Sequence, residues 1–344
     1  MINNYRPKLN IDALFFSLND IVIDVRYSYQ QVVRKAAQIY LEQAFALPPS
    51  KESLITLEEV IHLQRVGGIA NYWDLTRAFI AYFMSLLPDV PIVTFPIRFH
   101  VPAMLAYLQT ASARLHVDIE ELYAKKNINQ FTLDTVRAGG GLDGVYDALP
   151  DVNRHLVIAS GDITKINLVG RIFQELYLGA DLFERTYGQP AVLVQSTGYI
   201  EHESLLIEPE LLAQFGEKFP LGVLSSRPHL EVEHSLNVRK IKEYFQVVIS
   251  LEDIQKARAK GVPDPWALLE AVRRVQPTPT HIAYVSANPA GIRAARAANQ
   301  TIPCTAVACL IGATDRDMIR QSFEYNKASI ILGHPNNLKE LIFD

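Results

Sequence analysis

Short apolar runs constrain the fold of this chain more than any other feature. Five of them occupy residues 11–16, 221–224, 247–250, 281–286 and 304–309, and a sixth candidate spans 329–332. Apolar runs of this length are typical of parallel strands that are buried on both faces. From residue 221 onward they alternate with helical patterns over 229–245, 266–275 and 291–298. This alternation predicts an α/β fold with a doubly wound parallel sheet.

Residues 26–205 have a different character. Helical patterns cover residues 28–45, 53–62, 71–87 and 168–178, and the third of these is rich in aromatic side chains. Prolines at 88, 91, 96 and 102 exclude a continuous helix there, and three glycines at 139–141 predict a mobile connector. We therefore expect an α/β core made of residues 1–25 and 206–344, with a large, mostly helical domain of residues 26–205 inserted after the first strand.

Composition excludes several classes of protein. The chain has 33 Lys and Arg against 37 Asp and Glu, a net charge of −4, so it lacks the basic excess typical of nucleic-acid binding. Two cysteines, Cys304 and Cys309, are too few for a disulfide framework and fall in one apolar run, where inert buried thiols are expected. The sequence contains no apolar run of membrane-spanning length and no secretory signal at its start, which predicts a cytoplasmic protein without membrane contacts.

Four segments follow predicted strands in a recognisable order. Residues 12–24 read DALFFSLNDIVID, and residues 221–228 read LGVLSSRP. Residues 263–266 read PDPW, and residues 283–295 read AYVSANPAGIRAA. Together they resemble the four motifs of haloacid dehalogenase-like phosphatases, which are Asp-x-Asp-Gly, a strand ending in Thr or Ser, Lys-Pro-Asp-Pro and Gly-Asp-x-x-x-Asp. The resemblance implies a haloacid dehalogenase-like (HAD-like) core with a helical cap.

Members of that family with the full motifs use the first Asp as a nucleophile and the second as a general acid and base, with Mg²⁺ beside them. The corresponding positions here are Ser17 for the nucleophile, Asn19 for the acid and base, Val262 for the Lys and, depending on register, Ala287, Ala290 and Gly291 for the metal-binding Asp residues. An amide does not shuttle protons near neutral pH, and Mg²⁺ prefers carboxylate ligands. We therefore predict that the aspartyl-phosphate mechanism is absent and that no cofactor is needed.

The same positions form a neutral pocket that suits an anion. The candidate ligand-binding residues of the core are Ser17, Asn19, Asp20, Ser225, Ser226, Arg227 and Asn288. Lys256, Arg258 and Lys260 either supply positive charge near the missing Lys or form a solvated helix face. The candidates in the helical insertion are Arg26, Asn71, Trp73 and Asp74, although the aromatic stripe around Trp73 also fits core packing.

Three functions remain open at this point. The first is a HAD-like protein without phosphatase activity that binds a small anionic ligand, for example a phosphorylated one, or a protein partner at the cleft between core and cap. The second is an active Mg²⁺-dependent phosphohydrolase with relocated acidic residues, for which Asp20, Asp24, Glu252 and Asp253 are the candidates. The third is an interaction protein that uses the cap as its interface.

Overall fold

The structure is a computed structural model that describes residues 8–45, 47–49, 52–87, 101–113, 115, 117–312 and 316–343. Three of the four prolines used above to exclude a helix, at positions 88, 91 and 96, lie outside these residues. The chain divides into a core unit, Met1–Val25 with Glu203–Asp344, and a helical unit, Arg26–His202. The second boundary therefore lies three residues before the expected one at 205.

The core unit contains the predicted parallel sheet. The strands of the chain are β1 Ala13–Ser17, β2 Ile23–Asp24, β3 Ser204–Leu205, β4 Leu221–Leu224, β5 Val247–Ile249, β6 Ile282–Ser286, β7 Cys304–Cys309 and β8 Ile330–Leu332. Six of them form one sheet in the order β5-β4-β1-β6-β7-β8, with every neighbouring pair parallel. The predicted α/β class and its parallel sheet are confirmed.

Helices flank this sheet in the core unit and build the helical unit. They are α1 Tyr29–Ala44, α2 Leu57–Arg65, α3 Tyr72–Leu86, α4 Val101–Ser112, α5 Ile119–Lys125, α6 Ile128–Arg137, α7 Gly141–Ala148, α8 Leu168–Tyr187, α9 Pro209–Lys218, α10 His229–Val238, α11 Leu251–Lys256, α12 Trp266–Arg274, α13 Pro289–Ala298, α14 Arg316–Tyr325 and α15 Lys339–Ile342. Among the described residues, no helix combines the length and the apolar character needed to cross a membrane.

Strand β1 lies at the centre of the sheet because both of its faces are apolar. Phe15 and Phe16 point to opposite faces and are fully buried. Phe16 packs against the rings of Phe215 and Phe245, with centroids 6.5 and 6.3 Å away. On the other face, Gly222 leaves room for Phe15, since a Cβ at this glycine would lie 2.5 Å from the Phe15 ring. Burial of each phenylalanine stabilises the core by about 1.5–3 kcal/mol.

A second, two-stranded sheet was not predicted from the sequence. Strands β2 and β3 pair antiparallel, with Ile23 opposite Leu205 and Asp24 opposite Ser204. Two-residue strands carry no hydrophobic period, and these two are separated by the whole helical unit, so no local pattern indicates their pairing. The pairing brings the two connections of the core unit to the helical unit side by side.

Helix α1 is the central element of the helical unit. Its first residue, Tyr29, contacts the rings of Tyr72, Phe173 and Tyr177 at centroid distances of 4.9, 5.4 and 4.1 Å. These aromatic residues are buried, as are Phe79, Tyr82 and Phe83 of α3. Most of the aromatic stripe therefore packs the interior of this unit, whereas Trp73 remains partly exposed.

The three glycines at 139–141 form a turn between α6 and α7 and not the mobile connector expected above. All three have positive φ angles, from 68° to 103°, which glycine adopts without strain. Their amides donate to the carbonyls of Val136, Thr135 and Gly67, respectively, at 2.8–3.0 Å. The turn is therefore held by hydrogen bonds at both of its ends.

Candidate functional site at the carboxyl edge of the core sheet

The carboxyl ends of β1, β4 and β6 bring three of the four motif segments together. Ser17 is in register with Leu224 of β4, and its neighbour Phe16 is in register with Val285 of β6. The amide of Leu18 donates to the carbonyl of Leu224 at 2.9 Å. Ser17 thus lies between the segments that follow Leu224 and Val285, at the edge where ligands bind in open α/β sheets.

Asn19 is held by Arg227. The Arg227 Nε donates to Asn19 Oδ1 at 2.7 Å, across 208 residues of sequence. Asn19 is half-buried, whereas Arg227 is 2% exposed. The guanidinium of Arg227 therefore supports the site from inside the core and is not open to a ligand.

Arg227 belongs to a buried charged cluster. Its Nη1 lies 2.8 Å from Glu203 Oε1 and donates to Ser235 Oγ at 3.1 Å. Ser235 in turn donates to Glu203 Oε2 at 2.7 Å, and Arg239 lies 3.7 Å from the same oxygen. The Glu203 side chain is fully buried, so its charge is balanced within the cluster.

The hydroxyl of Ser17 lies in a polar but uncharged setting. It donates to the carbonyl oxygen of Asn19 at 3.3 Å, and it lies close enough to the Tyr284 hydroxyl to act on the pKa of that group. Tyr284 and Ser286 point to the same face of β6. Ser286 Oγ donates to the Asn288 carbonyl at 3.3 Å and accepts from the Asn288 amide at 3.1 Å. Burial raises the pKa of Tyr284 to about 12, although the hydrogen bond with Ser17 opposes the increase. Tyr284 therefore stays protonated near neutral pH.

The turn after β4 has its own internal bonds. The Ser225 amide donates to the Ile249 carbonyl at 2.9 Å, and Ser225 Oγ accepts from the Arg227 amide at 3.1 Å. Ser226 is exposed. Among the described residues, the amides of Asn19 and Ser226 have no hydrogen-bond partner. These two donors and the Ser225 hydroxyl proton remain at the edge of the sheet.

Asp20 lies in the turn that connects β1 to β2. It has a φ of +61°, in the left-handed region that the glycine of the family motif adopts freely. Its amide donates to the Ile23 carbonyl at 2.8 Å, and its side chain is buried. Asp24 is also buried, on β2. Position 20 thus has a left-handed backbone although it carries a side chain.

The fourth motif segment carries no acid at the strand end. Ala287 is buried, and Asn288 caps α13 through a bond from the Ala290 amide to its Oδ1 at 2.8 Å. A Cβ at Gly291 would lie 2.3 Å from Ser286 Oγ and 2.8 Å from Ser286 Cβ. The Ser286 side chain therefore occupies the space that a side chain at 291 would need.

No described hydrogen bond or ion pair joins the third segment to these residues. Val262 is half-buried and follows the exposed residues Lys256, Arg258 and Lys260. Glu252 and Asp253 lie at the start of α11 and accept backbone amides. Glu252 accepts from the amide of His229, the first residue of α10, at 2.7 Å. Asp253 accepts from the Ser250 amide at 2.9 Å and pairs with Arg274.

The candidates in the helical unit have local structural roles. Asn71 caps α3 by accepting from the amides of Trp73 and Asp74 at 2.8 and 3.2 Å. Asp74 pairs with Arg77 at 3.0 Å. Burial raises the pKa of the Asp74 carboxyl, and the negative charge of Asp143 raises it further, whereas the ion pair with Arg77 acts to lower it. The guanidinium of Arg26 lies 5.9 Å from the centre of the Tyr27 ring.

Sequence reasoning missed Tyr284 and Glu203 as parts of the site. Tyr284 could have been found, because it precedes Ser286 by two residues and so shares its strand face. Glu203 carries no such signal, since its contacts with Arg227 and Ser235 join distant segments.

Comparison with known proteins agrees with this fold. Residues 209–307 match the model of the haloacid dehalogenase-like hydrolase family. A protein solved as a structural genomics target is similar in fold, with a TM-score of 0.59 and 18% identity over 96% of this chain and 98% of that chain. Phosphatase Tt82 from Thermococcus thioreducens has a TM-score of 0.51 and 20% identity, over 90% of this chain and 98% of that chain. No curated protein sequence matches the chain.

Proposed function

We propose that this chain, which has a haloacid dehalogenase-like fold, has lost the aspartyl-phosphate mechanism and binds a small oxyanion, such as a phosphate group, at the carboxyl edge of its core sheet. The observation that carries the proposal is the setting of Ser17. Its hydroxyl contacts a backbone carbonyl and a protonated phenol, and neither group activates a nucleophile.

The position of the general acid and base supports the same conclusion. Asn19 has no proton to transfer near neutral pH, and its oxygen already accepts from Arg227. Catalytic groups act as a unit, so the combined loss of nucleophile and acid removes several orders of magnitude in rate.

The residues present do not fit the Mg²⁺ ion that the fold family implies. The described partners of the Ser17 hydroxyl are the Asn19 carbonyl and the Tyr284 hydroxyl, while Mg²⁺ is normally held by carboxylates with near-octahedral geometry. Gly291 has no room for a side chain, and the described residues contain no group of three His, Cys, Asp or Glu that could hold a metal. We therefore assign no step to a metal.

The four acids of the alternative function are either buried or already paired with backbone amides. Glu252 accepts the His229 amide at the start of α10, Asp253 accepts the Ser250 amide at the start of α11, and Asp253 also pairs with Arg274. Asp20 and Asp24 are buried in the turn after β1 and on β2. These positions favour structural roles for the four carboxylates.

The donors left at the edge support oxyanion binding. The Asn19 amide lies two residues beyond Ser17 in the turn after β1, and the Ser226 amide and the Ser225 hydroxyl lie in the turn after Leu224, the register partner of Ser17. Uncommitted amides and a hydroxyl form a neutral nest for an anion without any metal.

A phosphatase assay tests this proposal. Wild-type protein, Ser17→Ala and Asp20→Asn are incubated with para-nitrophenyl phosphate, with and without Mg²⁺. We expect no turnover above background in any sample, because Ser17 has no base. Mg²⁺-dependent turnover that disappears in Asp20→Asn would overturn the proposal and place a relocated carboxylate in the mechanism.

Substitution of Gly291 by aspartate tests the metal argument separately. We expect a loss of about 1–3 kcal/mol in the free energy of unfolding, because Ser286 must move, and no gain of Mg²⁺ affinity. Urea denaturation and calorimetric titration with Mg²⁺ measure the two quantities. Gly261→Asp is the control, since nothing lies within 4 Å of a Cβ there. Unchanged stability together with Mg²⁺ binding would contradict the argument.

A further inference from the structure

We infer that Arg227 is a positioning residue that orients the Asn19 amide so that its NH₂ group faces outward and selects an oxyanion. The inference rests on the proposed function and names the group that decides the charge of the ligand. Asn19 occupies the position at which the family motif places the general acid and base.

The orientation of the amide follows from its contacts. Arg227 has donors and no acceptor, so the atom of Asn19 that faces it must be the oxygen. The nitrogen Nδ2 is at the opposite end of the amide and has no hydrogen-bond partner among the described residues. Since Asn19 is half-buried and Arg227 is almost fully buried, the oxygen faces the interior and the nitrogen faces the edge of the sheet.

The guanidinium is held on two sides. Its Nη1 contacts Glu203 at 2.8 Å and Ser235 at 3.1 Å, while Nε contacts Asn19. A planar guanidinium fixed by Glu203 and Ser235 presents Nε in one direction, so the position of the Asn19 amide is set from within the core. The Arg227 backbone amide also donates to Ser225 Oγ at 3.1 Å, so the turn after β4 is connected to the same group of hydrogen-bonded residues.

The chemistry of the exposed end decides which ligand is accepted. An aspartate at position 19 would accept the same bond from Arg227 and present its second, negatively charged oxygen outward. Asparagine instead presents two N–H donors in that direction. The single change from carboxylate to amide therefore turns a surface that repels oxyanions into one that binds them, next to the Asn19 and Ser226 amides.

The test uses inorganic phosphate as the probe and the full chain. Phosphate is titrated into the wild-type protein and Asn19→Asp, with binding followed by calorimetry and by the side-chain amide signals in ¹⁵N–¹H spectra. The Asn19 NH₂ signal is assigned by its disappearance in Asn19→Asp. We expect this signal to shift on titration, and the dissociation constant to rise at least about tenfold in the variant, since donors are lost and a negative charge is added.

Asn326→Asp is the matched control. Asn326 Oδ1 also accepts from an arginine, Arg293, at 3.2 Å, so the change in charge beside an arginine is the same, whereas its Nδ2 already donates to the Ser322 carbonyl at 2.7 Å. Asn326 follows α14 and precedes β8, which places it at the amino edge of the sheet, away from the site. We expect phosphate binding within about twofold of wild type in this variant.

Arg227→Lys separates positioning from structure. Lysine keeps a positive charge for Glu203 but lacks the planar fork that reaches Asn19 at the same time. In Arg227→Lys we expect the Asn19 NH₂ signal to move in the free protein and phosphate to bind several-fold more weakly. Phosphate binding by Asn326→Asp should stay at the wild-type level. Equal phosphate binding by wild type and Asn19→Asp would overturn the inference and leave the proposed function standing. Absence of phosphate binding to the wild type, with the Asn19 signal unmoved, would overturn both.

Discussion

Replacement of Glu203 by alanine is expected to lower the free energy of unfolding of the core unit by about 3–5 kcal/mol. The Glu203 carboxylate is fully buried between Arg227 at 2.8 Å and Arg239 at 3.7 Å, and it accepts from Ser235. Removing it leaves two arginines in the interior without this countercharge, and an uncompensated buried charge is among the most destabilising changes in a protein.

Fluorescence-detected urea denaturation measures this loss. The chain has two tryptophans, Trp73 in the helical unit and Trp266 in the core unit, so a Trp73→Phe background reports on the core alone. Glu217→Ala on α9 is the control, because Glu217 is exposed, and its effect should lie within about 0.5 kcal/mol of zero. A loss below about 1 kcal/mol in Glu203→Ala would show that the two arginines do not depend on this carboxylate.

Replacement of Glu175 by alanine is expected to destabilise the helical unit by a similar amount, about 3–5 kcal/mol. One carboxylate oxygen accepts from the successive amides of Val192, Leu193 and Val194 at 2.6–3.1 Å, and the other pairs with Arg171. Both side chains of the pair are buried, so the variant leaves three amide donors without their acceptor and Arg171 without its countercharge, although Arg171 still donates to Gln189 and to the Pro190 carbonyl.

The same assay in a Trp266→Phe background reports on the helical unit through Trp73. Glu184→Ala lies on the same helix, α8, at an exposed position and should change stability by less than about 0.5 kcal/mol. Equal stability of the Glu175 and Glu184 variants would mean that the segment of residues 192–194 is held in place by other contacts.

The candidate site differs from an active phosphatase site in more than missing carboxylates. Tyr284 and Ser286 fill the face of β6 beside Ser17, and Gly291 has lost the space for a side chain. Arg227 donates to the oxygen of Asn19, so the amide nitrogen is the group that we infer to meet a ligand. These features are mutually consistent, and under the proposed function they suit a site that binds its ligand without a metal.

The sequence by itself determined the parallel sheet, the helical insertion and the order of the motifs. Each of these depends on local information, because a buried strand is marked by its apolar run and a motif by residues within a few positions of that strand's end. The end of β1 at Ser17 and the end of β4 before Ser225 were therefore predictable from residues 11–16 and 221–224.

Only the tertiary structure decided how the motif residues are used. Arg227 was a candidate ligand-binding residue, but contacts with Glu203 and Asn19, which are far from it in sequence, place it in the interior. The approach of Tyr284 to Ser17 likewise depends on which strands become neighbours, because β1 and β6 are more than 260 residues apart in sequence. A side chain's partners are set by the register and packing of elements distant in sequence, and no local pattern records them.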